Sequence, residues 1–153
     1  MDRMDILFHF ILLDRGEYII MYKVMKIINY MATRDVVLRN LETGTEDLCF
    51  DDSAVVSYTN FNFIEEGKIY DCKIELFGDF VDRPTESSTE VTIIETGVII
   101  GKYKYFKVKI NSNIYYILES DAKGHEIKPK MYYDCTRKDL AQVDDVIHGD
   151  CLS

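Results

Sequence analysis

The sequence predicts a mainly β fold with one or two short helices. Three observations carry this expectation. The chain has 11 tyrosines and 8 phenylalanines but only two prolines and no tryptophan. Aromatic and β-branched residues fit a pleated, half-buried surface better than a helix. Apolar residues recur with a period of two in several stretches, the mark of strands with one buried side. Turn residues punctuate these stretches at short intervals.

Taken in order, Tyr22 to Tyr30 is rich in Val, Ile, Met and Tyr and reads as a first strand. Val36 to Leu41 and Thr45 to Phe50 flank Glu42-Thr43-Gly44. Gly44 supplies the positive φ of a tight turn, so this is a hairpin. Asp52 to Tyr58 is a short helical candidate. Lys68 to Phe77 alternates most cleanly: Tyr70, Cys72, Ile74 and Leu76 share one face, and Asp71, Lys73 and Glu75 the other. Phe80 to Glu90 holds Pro84, serines, threonines and acids and reads as a loop.

A second β region follows. Val91 to Ile100 is a β-branched run interrupted by Gly97. Lys102 to Ile110 and Ile114 to Leu118 flank Asn111-Ser112-Asn113, a second hairpin signal. Met131 to Thr136 is a last short strand. Lys138 to Ile147 carries Leu140, Val143 and Ile147 at helical spacing and is the second helical candidate.

The two regions repeat each other. Tyr70-Asp71-Cys72 recurs as Tyr133-Asp134-Cys135, an offset of 63 residues, each time after a hairpin and a polar connection. This predicts two tandem similar β units, 21–82 and 91–153, joined by a linker at 83–90. The match is short, and Arg137 stands where the first unit has the apolar Ile74. A long strand, a hairpin, an irregular or helical connection and a further strand is an order that resembles an OB-like or related small antiparallel barrel.

Residues 1–20 stand apart. The apolar run Ile6 to Leu13 is too short to span a bilayer and lacks a basic leader and a cleavage site. Arg15-Gly16-Glu17 can be encoded by AGA GGA GAA, which contains the bacterial ribosome-binding core AGGAG, and Met21 follows shortly after. The expectation is a bacterial or phage-like message whose natural start is Met21, residues 1–20 being a leader or mis-assigned extension.

Charge narrows the function. The net charge is −9, which repels a phosphate backbone at long range. Cys49, Cys72, Cys135 and Cys151 form no C-x-x-C pair, so no zinc or thioredoxin-type site is expected. Reduced cysteines acting as small hydrophobes fit a cytoplasmic protein with no membrane association. No nucleophile elbow, phosphate loop or H-E-x-x-H is present. His9 lies in the N-terminal stretch, His125 in a loop, and His148 beside Cys151 near the end. No cofactor, metal or catalytic residue is expected.

Two binding patterns remain. The first is an acidic module that binds another protein, with Asp51, Asp52, Glu65, Glu66, Asp79 and Asp82 as candidate contacts. In its sharpest form it is an inhibitor whose carboxylates occupy a partner's nucleic-acid groove. Ordinary solvated surface acids are the bland explanation. The alternative is a single-stranded nucleic-acid binder using Lys102, Tyr103, Lys104, Tyr105, Lys107 and Lys109, since lysines can track phosphates while rings stack on bases. Here the bland explanation is a β-bulge near Tyr105-Phe106 that turns the rings inward and the lysines outward. Carboxylates brought together from distant positions, such as Asp144 and Asp145, leave an enzymatic site open in principle.

Overall fold

The computed structural model describes residues 19–153. The expected leader and His9 therefore lie almost wholly outside the described residues. Nine strands form one sheet, mainly β as expected: β1 (Met21–Asn29), β2 (Arg34–Asn40), β3 (Glu46–Asp51), β4 (Ile69–Val81), β5 (Thr89–Ile100), β6 (Tyr103–Ile110), β7 (Asn113–Leu118), β8 (Lys130–Val143) and β9 (Val146–Ile147). One helical turn, α1 (Ser53–Val56), follows β3. Short 3-10 turns cover Glu119–Ala122 and Gly149–Cys151.

Pairing is organised around β4 and β8, which run antiparallel through ten residue pairs. On one side β1, β2 and β3 form a meander. β1 pairs with β4, and β3 meets β8 in parallel at Phe50↔Asp139. On the other side β5, β6 and β7 form a second meander. β5 pairs with β8, and β7 meets β4 in parallel at Tyr116↔Glu75. The pairings thus trace two circuits that share the β4–β8 ribbon. Their hairpins obey the expected turn chemistry: Gly44 has φ +78°, and Asn111 and Ser112 have φ of 47° and 74°.

The long ribbon requires close approach at one point. A Cβ on Gly78 would lie 1.9 Å from the Asp134 carbonyl oxygen, so only glycine lets the strands pass there. The register also slips beside it, between Phe77 and Gly78.

Two hydrophobic clusters fill the fold. The larger includes Val24, Val36, Leu38, Ile74, Leu76, Val91, Val108, Ile117, Tyr133 and Leu140. The smaller holds Ile100, Tyr105, Ile114, Tyr116, Ala141 and Cys151. Strands that pass between the clusters are buried on both faces, and three expectations change for this reason.

The stretch 138–147 is no helix. It is the second half of β8, a turn, and β9. Ala141 is the extra residue where β8 slips against β4, so Leu140 and Val143 both reach the larger cluster and Ala141 the smaller. That bulge imitates helical spacing. Likewise no bulge lies within β6 at Tyr105-Phe106, which pairs with β7 in unbroken register. Tyr105 and Phe106 are both buried because they face different clusters. Glu75, assigned to the outer face of β4, is only 7% exposed because the smaller cluster covers that face. The loop after β4 is shorter than expected, residues 82–88, with Phe80 packed edge-on against Tyr133 at 5.0 Å.

Candidate functional site

The six candidate acids fall in three places. Asp51 ends β3 nearly buried, accepting hydrogen bonds from Arg34 Nε at 2.7 Å and the Ser53 N–H at 2.9 Å. That pairing turns the chain into α1. Asp52 accepts from His148 Nε2 at 2.6 Å. Glu65 and Glu66 are exposed before β4, and Glu66 caps the Ile27 N–H at 2.9 Å. Asp79 and Asp82 lie at the far end of β4, with Asp82 beside His125 Nδ1 at 3.0 Å. The six therefore share no single face. Asp79 instead faces Asp134 across the ladder. It also lies near Asp121, whose carboxyl is pushed up by burial and by Asp79 itself.

The lysine-tyrosine strand is β6 and its preceding turn. Lys102, Lys104 and Lys109 are exposed and Lys107 is half-buried. Tyr103 is 40% exposed and donates its hydroxyl to the Ser153 carbonyl at 2.8 Å. Tyr105 is 2% exposed, with its hydroxyl directed at Glu75 (3.4 Å) and Cys151 Sγ (3.5 Å). A ring packed in that way offers no face to a base.

His148 was noted in the sequence beside Cys151. The structure places it 6% exposed, edge-on to Phe61 with ring centroids 6.0 Å apart. Its Nδ1 accepts the Asp150 N–H at 3.0 Å. The proton therefore sits on Nε2 and is donated to Asp52. Both ring nitrogens are engaged, so neither is free to activate the Cys151 thiol, which burial pushes up. Asp52, His148 and Asp150 are also close enough together to suggest a cation site. Both His148 nitrogens are already committed, Nε2 to Asp52 and Nδ1 to the Asp150 N–H, so a cation would have to displace one of these hydrogen bonds.

Among the described residues, Glu75 is the carboxyl group pushed furthest toward neutrality. Burial, and then Asp139 opposite, push its carboxyl from 4.5 to about 7, against the Tyr105 hydrogen bond and Arg137. Arg137 grips Asp139 through two hydrogen bonds of 2.6 and 2.9 Å and lies over the rings of Phe50 (4.7 Å) and Phe77 (5.2 Å). Arg137 is exposed and, with Phe50, lines one of the depressions described below, but Glu75 itself lines none of the three.

One depression lies where the two circuits meet. It is a groove of about 600 Å³ lined by Ile19, Ile20 and Tyr22 at the start of β1, and by Asp71, Cys72 and Lys73 on β4. Ile94, Glu95 and Val98 on β5, Lys107 on β6, and Ile114 and Tyr116 on β7 complete it. Smaller depressions of about 560 and 490 Å³ lie beside Phe106–Lys123 and beside Phe50–Arg137.

The groove has a local cause. β5 slips twice against β6, between Ile93 and Glu95 and between Glu95 and Val98. Ile94 is the extra residue of the first slip, and Gly97, at φ +67°, lies within the second. Bulges of this kind re-aim side chains, and here they leave Ile94 47% exposed on the groove wall. Tyr116 lies on the floor with Lys73 Nζ 5.9 Å from its ring centroid and Lys107 directly across the ladder. Burial pushes its phenol up to about 12, so it remains a neutral donor. Asp71 and Glu95 give the rim negative charge beside the two lysines.

Of these groove residues only Lys107 was a candidate binding residue in the sequence; Asp71, Cys72 and Lys73 were read only as parts of a strand. The signal was present in Val91 to Ile100, a strand with more β-branched residues than one face can bury and a glycine inside it. Compared with protein-family models, curated proteins and solved structures, the chain matches none. No helix among the described residues is long and apolar enough to cross a membrane.

Proposed function

We propose that this protein is a non-enzymatic, acidic interaction module that binds an apolar segment of another protein in the groove between its two circuits. The observation that carries this reading is the double slip of β5, which holds Ile94 out of the core and beside Val98, Ile114 and Tyr116. A concave, mostly apolar surface with a few polar groups is the usual form of a binding site. The rim carries both signs of charge, which suits a polypeptide with mixed charges better than a nucleic acid.

We read the two circuits as tandem OB-like units. Support comes from their matching order. Each has a three-strand meander, a short helical connection (α1 or Glu119–Ala122) and a long strand. Each is closed by a parallel contact with the other unit's long strand.

The carboxylate-presenting inhibitor is a second reading, favoured only at the end of β4. There Asp79 and Asp82 are joined by Asp121 and Asp134 rather than by the other four predicted acids. Selection from a displayed peptide library, with counter-selection on an Ile94→Asp, Val98→Asp variant, tests the groove. Enrichment of a shared apolar motif that needs both side chains supports it. Equal binding to the variant overturns it.

A further inference from the structure

We propose that the proton on Glu75 governs the seam between β4 and β7, and through Tyr116 the floor of the groove. Neutral Glu75 keeps β7 against β4. Ionised Glu75 parts the two strands and draws Tyr116 away from the groove. The effect on a partner rests on the groove being the binding surface, as proposed above.

The geometry is one row across four strands. Tyr116 on β7 pairs with Glu75 on β4, Glu75 with Asp139 on β8, and Asp139 with Phe50 on β3. Residues directly opposite in neighbouring strands share a face of the sheet. Each parallel contact is a single ladder pair. Both circuits therefore close through this row, and two carboxylates occupy its middle. Tyr116 is next to Glu75 in the row and also lines the groove.

The two acids have different surroundings. Asp139 is held by Arg137 through hydrogen bonds of 2.6 and 2.9 Å. His148 also favours its charge, and Asp52 opposes it. Glu75 is faced by Asp139 and Arg137 from β8, by Tyr116 from β7, and by the Tyr105 hydroxyl from β6 at 3.4 Å. Asp121 faces it from the turn at Glu119–Ala122. The Cys151 thiol, from the turn at Gly149–Cys151, lies 3.5 Å from the same Tyr105 hydroxyl. Lys73, two residues earlier on β4, lies over the Tyr116 ring. Arg137 is thus committed to Asp139, and Glu75 has a neutral hydroxyl as its hydrogen-bond partner.

Loss of the Glu75 proton puts a second negative charge into a buried row. A buried charge without a cation of its own is costly and is relieved when water reaches it. On the β8 side ten ladder pairs resist that opening, and on the β7 side one pair does. The β7 side gives way. Burial and Asp139 place this ionisation at about 7, so the seam responds across the neutral range. A partner that needs the Tyr116 floor then binds together with a proton, and its affinity falls as pH rises through 7.

Amide hydrogen exchange of β7, corrected for the intrinsic pH dependence of exchange, tests the seam. From pH 6 to pH 8 it should quicken about tenfold in the unaltered protein, as the ionised fraction of Glu75 rises, and stay constant in Glu75→Gln. Equal rates at both pH values in the unaltered protein overturn the proposal, as does the same rise in Glu75→Gln. A library-selected peptide without histidine separates this failure from failure of the groove. It should bind the unaltered protein about tenfold more weakly at pH 8 than at pH 6, and Glu75→Gln equally at both. Binding that ignores pH in the unaltered protein overturns the link through Tyr116 and leaves the groove a binding surface. A quickened exchange with no peptide bound at either pH supports the seam and removes the groove reading.

Discussion

Glu75 and Asp139 face each other across the β4–β8 ladder, and Tyr105 directs its hydroxyl at Glu75 from 3.4 Å. Two carboxylates in one buried place do not both ionise easily. Burial is the larger cause of the shift, and Asp139 adds to it, so the Glu75 carboxyl is pushed up from 4.5 to about 7.

The sign of the resulting pH dependence follows. Between the two values the folded chain holds a proton that the unfolded chain has lost. Stability at this site is therefore full below about pH 4.5 and is lost as pH rises to about 7. Glu75→Gln keeps an acceptor for Tyr105 and removes the charge. Urea unfolding should show the variant more stable than the unaltered protein at pH 8, by about 2–3 kcal/mol, with the gap closing near pH 4.5. A gap that widens toward low pH contradicts the assignment.

His148 fastens the chain end to the end of β3 through Asp52. Asp52→Asn keeps an acceptor for the His148 Nε2–H and should cost little. Asp52→Ala leaves a buried donor unpaired and should cost about 1–3 kcal/mol in the same unfolding measurement. Equal effects of the two substitutions would show that the hydrogen bond contributes nothing.

Gly78 permits the closest approach of β4 to β8. Gly78→Ala places a methyl where the Asp134 carbonyl oxygen lies, so a strand must shift, at a cost of about 3 kcal/mol. Gly44→Ala adds a Cβ that meets nothing within 4 Å but keeps a strained positive φ. It should cost about 1 kcal/mol. Thermal unfolding ranks the two, and a reversed order contradicts the packing described.

The order of the strands was legible because most face only one apolar layer. Tyr70, Cys72, Ile74 and Leu76 fall on the larger cluster as their alternation predicts. Legibility failed where a strand passes between two clusters. Leu140, Ala141 and Val143 look helical, and Glu75 looks solvated, because period-two reasoning allows for one buried face. Asp51 and Asp52 read as surface acids in a list of charges, yet their partners Arg34 and His148 are 17 and 96 residues away. The groove was invisible for the same reason. It is assembled from five strands and depends on where β5 slips, which sequence spacing does not record.

Burial of Tyr105 removes the ring that the lysine-tyrosine strand would need for stacking. Fluorescence anisotropy with a labelled single-stranded oligonucleotide at physiological salt should show no binding tighter than about 10 µM. Lys102→Glu and Lys104→Glu should leave that result unchanged. A tight, steeply salt-dependent complex lost in those variants would restore the nucleic-acid reading.

The most direct measurement is calorimetric titration of a library-selected peptide against the unaltered protein and against Ile94→Asp. Fully burying an isoleucine contributes about 1.5–3 kcal/mol. Loss of that contact should weaken binding by about tenfold or more, while Asn62→Asp, outside the groove lining, leaves it unchanged. Equal affinity of all three proteins would contradict the groove as the binding surface.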